Sequence, residues 1–76
     1  MITVKLFGLL RLSSGIRELR LEAVTVSDLL RHLEARGLDG DALAGCNILI
    51  NGERATRRSR LSDGDTVQLF PPVAGG

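Results

Sequence analysis

A chain of 76 residues has room for one domain, and at that length folding buries only about 60% of the surface the unfolded chain exposes, which argues against an enclosed catalytic cavity. The composition, 43% hydrophobic and 25% charged, is that of a soluble globular protein, with no apolar run near the roughly 18 residues of a membrane span. Ten basic against nine acidic residues, with Phe7 and Phe70 the only aromatics, exclude the basic surplus and the stacking platforms of a nucleic-acid binder. The opening residues Met1 to Lys5 lack the zones of a signal peptide, and the single Cys46 cannot form an internal disulfide, so a cytoplasmic location is expected.

Ile2, Val4 and Leu6 alternate with Thr3, Lys5 and Phe7, the period of a strand with one face in the core. Gly8 breaks that run, and Ser13-Ser14-Gly15 reads as a turn or loop. Leu19 and Leu21 alternate within Glu18 to Glu22, so two strands joined by a short loop are expected as an opening hairpin. Thr25 to Asp28 has the spacing of a capping box with Asp in place of Glu. Val26, Leu29, Leu30 and Leu33 follow as one apolar stripe, which predicts a helix from Val26 to Arg36 with Gly37 closing it and Leu38 folding back on its last turn.

Asp39 to Gly45 is polar, with a short helical turn expected around Ala42 and Leu43. Ile48 to Ile50 reads as a strand that ends at Asn51-Gly52, a strong hairpin signal. Arg54 to Leu61 is expected as a short polar strand or an extended loop, and Ser62 to Asp65 as a tight turn. Thr66 to Phe70 alternates again, and Pro71-Pro72, with no N–H to donate, ends the ladder. An antiparallel sheet with one helix laid across its face is the economical packing for so small a core. The strand order is that of an α+β, β-grasp (ubiquitin-like) fold: a mixed four- to five-stranded sheet under one main helix. Residues 1–70 would form this domain and residues 71–76 an extended tail.

Familiar catalytic sets are absent. His32 sits beside the apolar stripe of its helix and reads as an exposed structural residue; metal sites need three or four ligands, so none is expected. Cys46, just before a strand, reads as a small hydrophobe rather than a nucleophile. Arg54, Arg57, Arg58 and Arg60 are either a docking patch for an acidic partner or a solvated edge strand that discourages unwanted pairing.

The tail offers more. Pro71 and Pro72 hold the chain extended because each fixes its φ, and Gly75 and Gly76 have no Cβ to obstruct a narrow channel. Six extended residues reach roughly 20 Å, enough for the end to enter a partner's active site while the body docks outside. A carboxylate there is a poor electrophile, but as a mixed anhydride with AMP it is open to attack by sulfur or by an amine.

The run Leu61 to Gly76, with its Asp63-Gly64-Asp65 turn and its Phe-Pro-Pro-Val-Ala-Gly-Gly ending, resembles the C-terminus of MoaD proteins, the small subunit of molybdopterin synthase. Phe7, Arg11, Thr25-Val26, Leu29-Leu30 and Asn51-Gly52-Glu53 extend the likeness, which is loosest between residues 13 and 47. The resemblance implies a sulfur carrier that is not an enzyme alone and binds no cofactor. An E1-like adenylating enzyme, MoeB-like, would use ATP and Mg²⁺ to adenylate Gly76, and a sulfurtransferase system would convert it to a thiocarboxylate. The tail, Pro71, Pro72, Val73, Ala74 and Gly75, would then enter a large subunit similar to MoaE and deliver sulfur for the molybdenum cofactor. Phe7, Phe70 and Arg11 would lie at the docking surface. ThiS-like carriers for thiamine or other sulfur pathways, and ubiquitin-like protein modifiers, share the same ending and form the alternatives.

Overall fold

The computed structural model describes residues 1–72. In chain order it contains β1 (Ile2–Leu6), α1 (Gly8–Ser14), β2 (Glu18–Leu21), α2 (Val26–Ala35), α3 (Gly40–Gly45), β3 (Asn47–Ile50), β4 (Glu53–Ala55) and β5 (Thr66–Phe70). The five strands form one sheet in the order β2-β1-β5-β3-β4. The central pair β1 and β5 runs parallel, and the other three pairings are antiparallel. The sheet is therefore mixed, as the β-grasp reading of the sequence expects. A parallel pair needs a crossover, and α2 lies in the chain that makes it. This is the β-grasp topology.

Alternation sorts the sheet into two faces. Ile2, Val4, Leu6, Val67 and Leu69 are buried on one side beneath Val26, Leu29, Leu30 and Leu33 of α2. The intervening residues fall on the other side, where the register aligns Glu18, Lys5, Gln68, Leu49 and Arg54 in one row across all five strands. All fourteen buried core residues are aliphatic, and among the described residues no polar or charged side chain is buried.

The caps of α2 follow from its sequence. Thr25 Oγ1 accepts a hydrogen bond from Asp28 N at 3.1 Å, while Asp28 Oδ2 accepts from Val24 N rather than from the cap residue itself. The next orphan donors at this end, Val26 N and Ser27 N, donate to Ser59 O and Arg57 O, so the loop after β4 closes the helix. At the far end Gly37 adopts φ 101° and Leu38 N donates to Leu33 O, burying Leu38 against the last turn.

The connection between β1 and β2 corrects an expectation. The two strands pair antiparallel, but Gly8 to Ser14 form helix α1 instead of a short loop. Only Leu10 of that helix is buried, so no apolar stripe marks it. Ser13 and Ser14 donate their hydroxyls to Leu9 O and Leu10 O inside the helix, and Gly15, at φ 73°, terminates it. The polar strand after the second turn spans Glu53 to Ala55, and the short helix expected around Ala42 and Leu43 is α3.

Candidate functional site at the root of the tail

β5 leads out of the sheet at Phe70, so the geometry around Phe70, Pro71 and Pro72 sets how the tail leaves the domain. The only two aromatic residues of the chain both stay out of the core and stack on each other. The Phe7 and Phe70 rings lie nearly parallel, with centroids 4.4 Å apart and planes inclined by 11°. Phe7 N donates to Leu69 O at 3.1 Å, which extends the β1–β5 ladder by one residue and brings the rings together.

The next residue fixes the direction. Gly8 has φ 58°, a left-handed conformation that β-carbon-bearing residues avoid. A Cβ placed on Gly8 would lie 2.7 Å from Pro71 Cγ. The proline ring thus occupies the space a side chain would need, and the start of the tail rests on bare backbone. On the other side Pro72 Cγ lies 3.6 Å from the position of a Cβ on Gly45, at the end of α3.

Beside this root an open groove of about 820 Å³ is lined by Phe7, Phe70, Pro71, Cys46, Leu49 and Arg54, among others. Cys46 is half-buried, and its Sγ–H donates to Leu43 O at 3.0 Å. Burial pushes its thiol up from the ordinary value, against smaller lowering influences from a backbone hydrogen bond and from the Arg57 charge. A thiol held protonated is a poor nucleophile, so Cys46 serves as a wall of the groove.

Other expected residues lie away from the groove. Arg11 is exposed on α1, between the exposed Leu9 and Leu12. His32 is exposed on α2, with Nε2 3.7 Å from Asp28 Oδ1. Among the described residues no group of three or more His, Cys, Asp or Glu is placed to hold a metal ion. Val73, Ala74, Gly75 and Gly76 lie outside the described residues. Sequence reasoning missed Gly8 as the seat for Pro71. The one local signal was a Phe-Gly pair at the end of a strand, which reads equally well as a simple break.

The profile of the ThiS family matches residues 4–76. The chain belongs to the ThiS family. Two curated relatives from Haloferax volcanii resemble it: small archaeal modifier protein 3 is 44% identical over 68% of this chain and 70% of its own, and small archaeal modifier protein 1 is 38% identical over 95% and 97%. Among solved structures, small archaeal modifier protein 1 from Methanosarcina acetivorans superposes with a TM-score of 0.80 at 32% identity, covering 99% of this chain and 95% of that one. A putative molybdopterin converting factor subunit 1 from Pyrococcus furiosus gives 0.76 at 32% identity over 95% and 97%. A chain from the complex of subunits 1 and 2 of the Helicobacter pylori molybdopterin-converting factor gives 0.74 at 26% over 99% and 97%. This ThiS-family chain is thus a ubiquitin-like protein of the sulfur-carrier and protein-modifier group, and its likenesses fall on both sides of that group.

Proposed function

We propose that the chain is a sulfur carrier that works through the carboxylate of Gly76, as the small subunit of a synthase of the molybdopterin type. The observation that carries this reading is the ThiS-family match running through to residue 76, so that it includes the Pro-Pro-Val-Ala-Gly-Gly tail. The carboxylate oxygen attacks the α-phosphorus of ATP on an E1-like, Mg²⁺-using enzyme, and pyrophosphate leaves. A persulfide on a sulfurtransferase then attacks the acyl carbon and displaces AMP, and a thiol cleaves the resulting acyl disulfide, releasing the thiocarboxylate and leaving a disulfide behind. The thiocarboxylate donates its sulfur inside a large partner subunit. The likeness to a chain from a two-subunit molybdopterin-converting complex supports that last step.

A second reading has its own support. The two curated relatives are named as modifier proteins. In that reading a lysine amine, rather than sulfur, takes the activated carbonyl and forms an isopeptide bond. Both readings share activation of Gly76, and co-expression with an adenylating enzyme and a sulfur source separates them. Sulfur carriage predicts a thiocarboxylate at Gly76, and modification predicts higher-mass adducts on the lysines of other proteins. A chain with Gly76 deleted should yield neither; product formation from it would refute both readings.

A further inference from the structure

The sheet order leaves two outer strands, β2 and β4, each paired on one side only among the described residues. The edge of β2 can be read bond by bond. Leu6 N donates to Arg17 O at 2.9 Å, which continues the β1–β2 register by one residue and makes Leu6 and Arg17 a hydrogen-bonded pair. Such pairs alternate with non-bonded ones along an antiparallel ladder. Leu19 and Leu21 therefore turn their N–H and C=O groups towards β1, and Glu18 and Arg20 turn theirs outward. A row of unpaired donors and acceptors of this kind is a template for another strand.

The side chains decide which strand fits. Leu21 is buried and Leu19 partly buried at the margin of the core, while Glu18 and Arg20 are exposed on the other face. Among the described residues neither charge takes part in an ion pair. A second β2 laid antiparallel about Leu19 sets Glu18 opposite Arg20 on both sides of the centre. Glu18 and Arg20 are the residues with outward-facing backbone, so both of these positions become hydrogen-bonded pairs with opposite charges across them. Leu19 meets its own counterpart at the non-bonded position between them, where side chains come closest, and joins the two cores. Registers centred on Glu18 or Arg20 bring like charges face to face. One centred on Leu21 relies on Glu22 and Val24, past the end of the strand, and Val24 has its N–H and C=O engaged by Asp28 and Leu61. The opposite edge lacks this match: a copy centred on the middle residue of β4 sets Arg54 against Arg54.

We propose that the chain associates with a second copy of itself through the outer edge of β2, in the register centred on Leu19. The two five-stranded sheets join into one, with the helices of both copies on the same face. The twofold axis stands perpendicular to the sheet, so the two β5 strands run in opposite directions and their tails leave at opposite ends. Phe70 and Pro71 stay clear of the contact, because β1 lies between β5 and the shared edge. Both tails thus remain free to act. An edge of four residues buries less than the roughly 1,000 Å² of a lasting interface, so the association is weak and follows concentration.

The test follows sedimentation and amide hydrogen exchange of the ¹⁵N-labelled chain over about a hundredfold range of concentration, chosen wide because the interface is small. The mass should rise towards that of a dimer. The amides of Glu18 and Arg20 should become protected as it does, whereas those of Leu19 and Leu21, bonded to β1, are protected throughout. Arg20 stands opposite Thr3, so Arg20→Glu meets no like charge within the chain and should fold as the parent does. It should weaken the association about tenfold or more, because like charges then face each other on both sides of Leu19. Glu18→Arg should do the same, and the two variants mixed in equal amounts should associate again, since every pair across the edge is then of opposite charge. A parent that stays monomeric over the whole range, concentration-dependent protection at other residues, or undiminished association in Arg20→Glu would overturn the proposal. So would two folded variants that fail to pair on mixing. Should Glu18→Arg, which faces Lys5, not fold, the exchange pattern and Arg20→Glu still decide the matter.

Discussion

A methyl group on Gly8 would collide with Pro71, and φ 58° would strain it even without the collision. The left-handed backbone costs an L-residue about 1–2 kcal/mol. Gly8→Ala should therefore destabilise the domain by about 1–3 kcal/mol once overpacking is added, measured by urea unfolding. Replacing Pro71 by Ala as well should relieve the collision but not the backbone strain. Cys46 makes a second prediction. Because burial raises its thiol pKa, the unfolded chain releases the thiol proton at a lower pH than the folded chain does. Stability is therefore full below the ordinary thiol range and falls as pH rises through it. Iodoacetamide should label Cys46 more slowly in the native than in the urea-unfolded chain at mildly alkaline pH, and equal rates would contradict the assignment. Residues whose role depends on near neighbours were legible in advance: Thr25 as a cap, Gly37 as a stop and Asn51-Gly52 as a turn. Gly8 was not, because its partner lies at the other end of the chain and its φ leaves no trace in composition.

The two turns at one end of the sheet are fastened to each other. Asn51 sits at φ 51° and Gly52 at φ 85°, the left-handed pair that a tight hairpin requires. Asp65 Oδ1 accepts from Asn51 Nδ2 at 2.9 Å and Asp65 Oδ2 from Ser62 N at 2.8 Å, while Asn51 Oδ1 accepts from Thr66 N. Asp65→Ala removes both carboxylate bonds and should cost about 1–2 kcal/mol at neutral pH by chemical denaturation. α2 was predictable because its apolar stripe, cap and stop all agree. α1 was not: it has seven residues, a single buried side chain, and two serines that also favour turns. A helix that short is marginal on its own, and it is held here by the Phe7 contact to β5 and by the αL turn at Gly15. The mixed sheet followed from the β-grasp strand order, whereas alternation alone could not set β5 beside β1, since it reports which face a residue takes and not which strand lies beside it.

Among the described residues the domain is one sheet with its helices packed on one face and the other face left uncovered. A domain of this size has a stability of only about 4–11 kcal/mol. Leu33, fully buried at the centre of the α2 contact, should therefore be intolerant: Leu33→Ala is expected to lose about 2–5 kcal/mol and to leave a substantial unfolded fraction on mild heating. Chemistry inside such a body has little space, and the two aromatics are set where the tail begins instead of in the core. Both observations direct attention to Gly76. Trypsin cuts after Arg60 and finds no further lysine or arginine, so a single peptide, residues 61–76, carries the whole tail. After co-expression with an adenylating enzyme and a sulfur source, mass spectrometry of that peptide should show a gain of about 16 Da, sulfur replacing oxygen at the activated carboxyl. An unmodified mass for the entire population, with no conjugates joined through Gly76, would contradict activation of the terminus.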